Sequence, residues 1–274
     1  MTRKMMKDAR GLLERSRNAD GGFGARPGQP SEAEPTALAA LALNDAAARA
    51  WLLDHQAWDG SFSLQAGPYT NDSATPLAAL ALEPGRERDR ALDHIEESRA
   101  RHVPSTAEIP IDPTAIGWGW ATATASWVDP TAKALWALRT ARPSSGAIVD
   151  AVALLRDRES VGGGWNYGNR VVLGEELPPF AQTTAIALIG LAGLDPQLGA
   201  RGIATLRRLW RAESAGVLSL ASAVLAFRVH RADAEARAAL ATLADLLDRV
   251  GSDDTVALGW AASAMSQNAS GTAA

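Results

Sequence analysis

The sequence contains no cysteine, which excludes disulfide bonds, thiolate nucleophiles and every zinc site that needs sulfur. Aromatic residues make up only 5% of the chain, although most of them are tryptophan. The net charge of −4 comes without a basic stripe, so we expect no nucleic-acid partner. There is no phosphate loop, nucleophile motif or metal-ligand spacing, and we expect neither a cofactor nor a bound metal.

Long hydrophobic runs are also missing, since no apolar stretch reaches about 18 residues. The first residues are charged and lack the apolar core of a signal peptide. We therefore expect no integral membrane span and a soluble, cytoplasmic protein.

A ten-residue segment rich in alanine and leucine recurs along the chain. Its copies begin near Glu34, Ser73, Asp129 and Gln182, and a fainter copy begins at Asp253. Each copy opens with residues that cap helices, or with proline, and continues into a run that is apolar on nearly every side. A helix of that kind has to be buried, so the copies predict the inner layer of a repeat protein.

A glycine cluster followed by an aromatic residue precedes these segments. The aromatic residue lies thirteen positions before the repeated threonine in three copies, as Phe23 to Thr36, Phe62 to Thr75 and Trp118 to Thr131. Amphipathic helices are predicted before each such turn and throughout the last third of the chain, at about 3–17, 46–55, 86–101, 146–158, 200–211 and 232–250. This alternation predicts an all-α protein, a single α/α toroid of about five to six helical hairpins. It would span residues 1–265, with a disordered tail at 266–274; the rival, an open solenoid, is less favoured because neither end carries a polar capping repeat.

The turns Asp20-Gly21-Gly22-Phe23, Asp59-Gly60-Ser61-Phe62 and Gly163-Gly164-Trp165, with the Thr-Ala-Leu helix starts, resemble the prenyltransferase and squalene-cyclase (terpene cyclase) repeat family. The resemblance covers most of residues 10–265 and implies an α/α toroid. In that family the active site lies at the end of the toroid where the inner helices begin. Here this end would be formed by the residues before each repeated threonine: Glu34, Asp72 with Ser73, Asp129, Gln182 with Thr183, and Asp253 with Asp254.

Two activities of the family can be compared with this sequence. Protein prenyltransferases hold zinc through Asp, Cys and His, but this chain has no cysteine and no histidine before a repeated threonine. Class II terpene cyclases protonate their substrate with the middle Asp of an Asp-x-Asp-Asp-Thr motif. The segment Gly251-Ser252-Asp253-Asp254-Thr255 matches the last three positions, which implies Asp253 as the general acid beside Asp254. The first Asp of the motif is replaced by Gly251.

Carbocations are stabilised by aromatic faces, which Trp118, Trp120, Trp165, Tyr167 and Trp260 would supply. Asn166 adds hydrogen-bonding groups next to Trp165, so this turn is a candidate ligand wall. The pair Trp118 and Trp120 is notable because two indoles on alternate residues do not easily fit into one turn.

Each candidate also has a purely structural interpretation. Asp253 and Asp254, like Glu34 and Asp129, are residue types that cap helix N-termini. The tryptophans that follow glycine would pack neighbouring repeats together. The four histidines show no metal spacing and are predicted to lie at the surface, at positions 55, 94, 102 and 230.

The leading hypothesis is a terpene-cyclase-like protein that binds an isoprenoid or another apolar ligand in a Trp-lined cavity. It would start a cyclisation or isomerisation by protonation from Asp253. The alternative is a non-catalytic toroid that binds a hydrophobic ligand or a partner protein at the mouth of the ring, the open end where the inner helices begin. A third possibility is unrelated chemistry on the same scaffold, because a fold does not dictate a function.

Overall fold

The computed structural model describes residues 2–63, 72–212 and 216–266, and these form an all-helical ring. Twelve helices lie within the described residues, together with one short hairpin of strands β1 and β2 (Val171–Val172 and Glu175–Glu176). The helices are α1 (Thr2–Arg15), α2 (Ala33–Leu43), α3 (Ala46–His55), α4 (Thr75–Ala81), α5 (Arg86–Glu97), α6 (Val128–Ala141), α7 (Ala147–Asp157), α8 (Ala181–Leu191), α9 (Pro196–Ala212), α10 (Val217–Val229), α11 (Asp233–Val250) and α12 (Thr255–Met265).

The even-numbered helices form a closed inner ring. Each packs against the next in the order α2, α4, α6, α8, α10 and α12, and α12 returns to pack against α2. The odd-numbered helices lie outside, with α3, α5, α7, α9 and α11 each packed on an inner helix that adjoins it in the chain. Helix α1 covers the seam by packing mainly on α12. Within the described residues the protein is therefore a single α/α toroid of six hairpins, in agreement with the predicted five to six.

The composition of the inner helices explains why they can pack so closely. Small residues occupy the positions where two inner helices meet, and a side chain there would collide with the neighbour. A Cβ atom on Gly190 of α8 would lie 2.5 Å from the carbonyl oxygen of Ala132 in α6. A Cβ atom on Gly259 of α12 would lie 2.7 Å from Cβ of Leu38 in α2, so a glycine is needed where the ring closes.

The fixed spacing between aromatic residue and threonine reflects one repeated hydrogen bond. The buried Thr36 Oγ1 accepts the backbone N–H of Phe23 at 2.9 Å. The same bond joins Thr75 to Phe62 at 2.9 Å and Thr131 to Trp118 at 3.0 Å. It occurs a fourth time between Thr184 and Trp165, also at 3.0 Å, across a longer connection. The threonine thus ties the start of an inner helix to the turn that precedes it.

Most predicted helices agree with the structure to within a few residues. Helix α5 ends at Glu97, four residues earlier than expected, and α9 begins at Pro196, four residues earlier. The hairpin of β1 and β2 was not predicted. The tail expected to be disordered lies outside the described residues from position 267 onward. Among the helices of the described residues, none combines the length and the apolar character needed to span a bilayer.

Candidate functional site

A buried ionic cluster lies inside the ring at the end where the inner helices begin. Lys133 in α6 donates a hydrogen bond from Nζ to Oε1 of Glu34 in α2 at 2.9 Å. The same nitrogen is 2.9 Å from Oδ1 of Asp129, one turn earlier in α6. Helices α2 and α6 are not neighbours in the ring, so the contact between Glu34 and Lys133 crosses its interior. The Lys133 side chain is only 6% exposed, and that of Asp129 only 5%.

This environment changes the protonation equilibria of the cluster. Burial alone would lower the pKa of the Lys133 ammonium, but the charges of Asp129 and Glu34 outweigh it and the pKa is raised. Burial raises the pKa of the Asp129 carboxyl, and the nearby ammonium offsets this only in part. Lys133 is therefore a fixed cation, while Asp129 holds a proton more tightly than an ordinary aspartate.

Tryptophan side chains fill the ring below the cluster. Trp136 in α6 and Trp260 in α12 have ring centroids 6.1 Å apart. Since α6 and α12 stand opposite each other in the ring, this pair spans its diameter. Trp136 lies seven residues beyond Asp129, about 10 Å further along the helix. The indoles of Trp136 and Trp260 thus form a floor below the ionic cluster. Above this floor, Nζ of Lys133 lies 5.7 Å from the ring centroid of the half-buried Trp120.

Two buried hydroxyl oxygens near this end have no hydrogen-bond partner, Oγ1 of Thr183 and Oγ1 of Thr255. Nε1 of Trp136, about 10 Å further into the ring, is also unpaired. Oδ1 of Asp129 is not one of these atoms in practice, because it is paired with the Lys133 ammonium 2.9 Å away. Buried polar groups are nearly always paired in native proteins. The two threonines lie at the starts of α8 and α12 and leave hydrogen-bonding capacity at the end of the ring that holds the cluster, although other unpaired atoms lie elsewhere, among them Nε1 of Trp210.

Asp253 and Asp254 lie at the rim of this end. The Asp253 side chain is 69% exposed and pairs with Arg26 at 3.1 Å. Asp254 is the N-cap of α12, where its Oδ1 accepts the backbone N–H of Ala257 at 2.9 Å. The role of Asp253 as the acid stays a prediction, and its surroundings lack the burial that alkene protonation needs.

The other predicted aromatic residues are divided between core and surface. Trp118 and Trp165 are buried in the turns, where their Nε1 atoms donate to the carbonyl oxygens of Ile95 at 2.7 Å and Leu155 at 2.6 Å. Asn166 is buried, and its Oδ1 accepts the N–H of Gly168 at 2.8 Å, which shapes the turn. Tyr167 is exposed and packs on Phe180 with ring centroids 5.4 Å apart. Of the Trp118 and Trp120 pair, only Trp120 adjoins the ionic cluster.

Asp72 belongs to a separate buried contact between the start of α4 and the outer helix α5. Its Oδ2 lies 2.8 Å from Nε2 of His94 and accepts the hydroxyl hydrogen of Thr122 at 3.1 Å. The prediction that His94 lies at the surface was wrong, because its side chain is only 11% exposed. Burial would lower the pKa of His94, but the hydrogen bond and charge of Asp72 prevail and raise it. Gln182 lies half-buried in the first turn of α8.

The structure adds Lys133 and Trp136 to the residues expected from the sequence. The sequence does contain a signal for this site. Lys133 is the one charged residue between Pro130 and Leu138, inside a run that has to be buried. A lysine in such a place requires an anionic partner, and Glu34 and Asp129 are the acidic residues near the starts of two inner helices.

No group of three or more His, Asp or Glu side chains in the described part of the chain is arranged to hold a metal ion. No family model matches the sequence, and no curated protein matches it. Among solved structures, the chain is similar to one described as "a novel alpha-amylase from Clostridium perfringens". The two share 9% identity with a TM-score of 0.67, over 95% of this chain and 97% of the other. At this identity the likeness shows the α/α toroid fold alone.

Proposed function

We propose that the protein binds an apolar small molecule with a polar head at the mouth of its inner ring. The observation that carries the proposal is the ionic cluster of Glu34, Lys133 and Asp129, with two unpaired threonine hydroxyls at the same end of the ring and a tryptophan floor below. A polar head would form hydrogen bonds at this end, and an apolar body would lie against the indoles of Trp120 and Trp136.

The charge of the cluster determines which polar head group of a ligand would fit beside it. One ammonium faces two carboxylates, so the group has an excess of negative charge when all three are ionised. Asp254 adds further negative charge at the rim, where Asp253 is paired with Arg26. A hydroxyl or an ammonium head therefore fits the mouth better than a diphosphate, which would be repelled. The ligand class that follows is a prenol-like alcohol or a long-chain amine.

The non-catalytic form of this function is the better supported one. Trp136 and Trp260 meet across the ring and close it below the ionic cluster. The proposed site is therefore an open depression at the end of the ring, whereas a cyclase encloses its substrate in a chamber. A mouth of this kind binds a ligand, or the lipidated end of a partner, without surrounding it.

The test is a binding titration of the purified protein with geranylgeraniol, geranylgeranylamine and farnesyl diphosphate. Binding is monitored by tryptophan fluorescence and by native mass spectrometry. The wild-type protein should bind the alcohol or the amine saturably and more tightly than the diphosphate. Trp136→Phe removes the unpaired Nε1 and keeps a ring, and should weaken binding by about tenfold. Trp210→Phe is the matched control because its Nε1 is also buried and unpaired, but it lies on the outer helix α9.

Two results would contradict the proposal. The first is that none of the three probes binds. The second is equal binding by wild type, Trp136→Phe and Trp210→Phe, which would place the ligand elsewhere.

A second candidate function is a protonation-initiated cyclase or isomerase, favoured by the raised pKa of the buried Asp129. In this form Asp129, rather than the exposed Asp253, is the better placed general acid. Incubation with the same isoprenoids and gas chromatography of the extract would reveal a product. If the product is lost in Asp129→Asn but not in Asp253→Asn, Asp129 is the acid; the opposite result supports the terpene-cyclase motif.

A further inference from the structure

A cavity lies between the loop before α6 and the loop before α8. Its volume is about 220 Å³, and none of the residues of the ionic cluster lines it. Most of its wall is apolar, formed by Val103, Pro104, Ile109, Ile111, Ile116 and Trp127. Arg158, at the C-cap of α7, is the one buried charged residue in the lining, and the exposed Arg101 and Asp112 also line the cleft, so the lining carries one net positive charge.

Arg158 is not satisfied by its protein partners. Its Nη1 pairs with Asp157, whose other oxygen, Oδ1, accepts the backbone N–H of Asp112 at 3.0 Å. Nε of Arg158 is buried and has no hydrogen-bond partner. The side chain is only 4% exposed, so bulk water does not compensate for the missing bond. Arg158 lines the cleft and pairs with Asp157 through Nη1, which leaves other N–H groups of the guanidinium for an anionic acceptor in the cleft.

The size and the walls of the cleft limit what can accompany the anion. A cavity of about 150 Å³ with apolar walls is large enough for benzene. The cleft therefore accommodates a single ring or a short alkyl chain next to the anionic group. A bare anion would leave its apolar walls uncovered.

We propose that this cleft binds a small organic carboxylate whose apolar body lies between the two loops and whose carboxylate pairs with Arg158. The planar guanidinium matches a carboxylate well, because adjacent N–H groups can reach its two oxygens. The proposal is independent of the function proposed for the ring mouth, since the two sites share no residue.

The experiment is calorimetry or ligand-observed NMR with benzoate, phenylacetate and hexanoate, each compared with its neutral amide. At least one acid should bind saturably and about tenfold or more tighter than its amide, as expected for a charge-assisted hydrogen bond. Arg158→Met should reduce the affinity for the acid to that of the amide. Because this change also leaves Asp157 without its partner, Ala125→Leu is a second variant that fills the cleft and keeps the arginine.

Arg156→Met is the matched control. Arg156 lies two residues earlier, is 61% exposed and pairs with Asp195, away from the cleft. It should bind the acid as wild type does, whereas Ala125→Leu should lose about tenfold in affinity. Inorganic phosphate serves as the anion without an apolar body and should compete poorly.

The proposal is overturned if none of the three acids binds, or if acid and amide bind equally. It is also overturned if Ala125→Leu leaves the affinity unchanged. Equal competition by inorganic phosphate would show a simple anion site in place of a site for organic acids.

Discussion

Replacing Lys133 by methionine tests whether the ionic cluster is as strongly coupled as its geometry indicates. Methionine keeps most of the length of the side chain and removes the charge. The change leaves Glu34 and Asp129 facing each other across the ring with no cation between them, and Asp129 is buried. Removing one partner of a buried ion pair costs about 3–5 kcal/mol, so a comparable loss of unfolding free energy is expected at pH 8.

The cost should depend on pH, with a sign that follows from Asp129. Its pKa in the folded protein is already raised, and removing the ammonium raises it further. The folded state then binds a proton more tightly than the unfolded chain, where aspartate titrates near about 3.9. Stability is therefore lost as the pH rises toward the folded pKa, and Lys133→Met should be less impaired at pH 5 than at pH 8. The raised pKa of Lys133 itself contributes stability below its unfolded value and loses it only in alkali.

Urea unfolding at both pH values, followed by circular dichroism, measures the effect. Arg249→Met is a close control, because Arg249 and Asp245 have the same i,i+4 spacing and the same 2.9 Å separation as Lys133 and Asp129, but both are exposed. That surface pair should contribute no more than about 0.5 kcal/mol. The double variant Lys133→Met with Asp129→Asn should recover part of the loss. A cost below about 1 kcal/mol at pH 8, or one that is identical at pH 5, would refute the reasoning.

Two further predictions concern stability. Thr131→Val removes the hydroxyl that accepts the buried N–H of Trp118 and should cost about 1–3 kcal/mol in urea unfolding. Thr255→Val removes a buried hydroxyl that has no partner and should cost nothing or stabilise; equal losses in both would contradict the role given to the threonine bond. The raised pKa of His94 beside Asp72 means that its contribution to stability is complete below about pH 6.5 and is lost as the pH rises through the folded pKa. Burial lowers the pKa of His230, which acts in the opposite direction in this pH range, so the measured quantity is the difference in stability between wild type and His94→Gln. This difference should fall between pH 6 and pH 8, and a constant difference would exclude His94 as a source of the pH dependence.

The ring could be predicted from the sequence because the same apolar helical segment recurs, and each copy has to be buried in the same way. An all-round apolar helix has to be enclosed, and several in a row can be enclosed only by one another and by amphipathic helices outside them. The thirteen-residue spacing was visible as well, because it corresponds to a hydrogen bond of fixed geometry between Thr36 and Phe23 and between their counterparts.

The composition of the site was harder to predict because it depends on contacts across the ring. The sequence places Glu34 and Lys133 ninety-nine positions apart, and nothing local indicates that they meet. The same is true of Trp136 and Trp260, because the sequence predicts only that Trp136 belongs to an inner helix and that Trp260 contributes to a cavity wall. Only the order of the six inner helices brings α6 opposite α12 and lets these two indoles meet.

The fifth copy of the repeat shows why a motif match and a site are different things. Asp253-Asp254-Thr255 matches three positions of the cyclase motif, but the glycine-aromatic turn that precedes the other copies is absent there. As a result, Thr255 Oγ1 has no partner, and the start of α12 is held by a bond from the Thr255 N–H to the carbonyl oxygen of Ala25 at 3.0 Å. The two aspartates therefore stand at the seam of the ring, where solvent reaches them. Asp129 follows an intact turn, lies inside the ring and is enclosed, so its carboxyl is buried beside Lys133 whereas those of Asp253 and Asp254 are exposed.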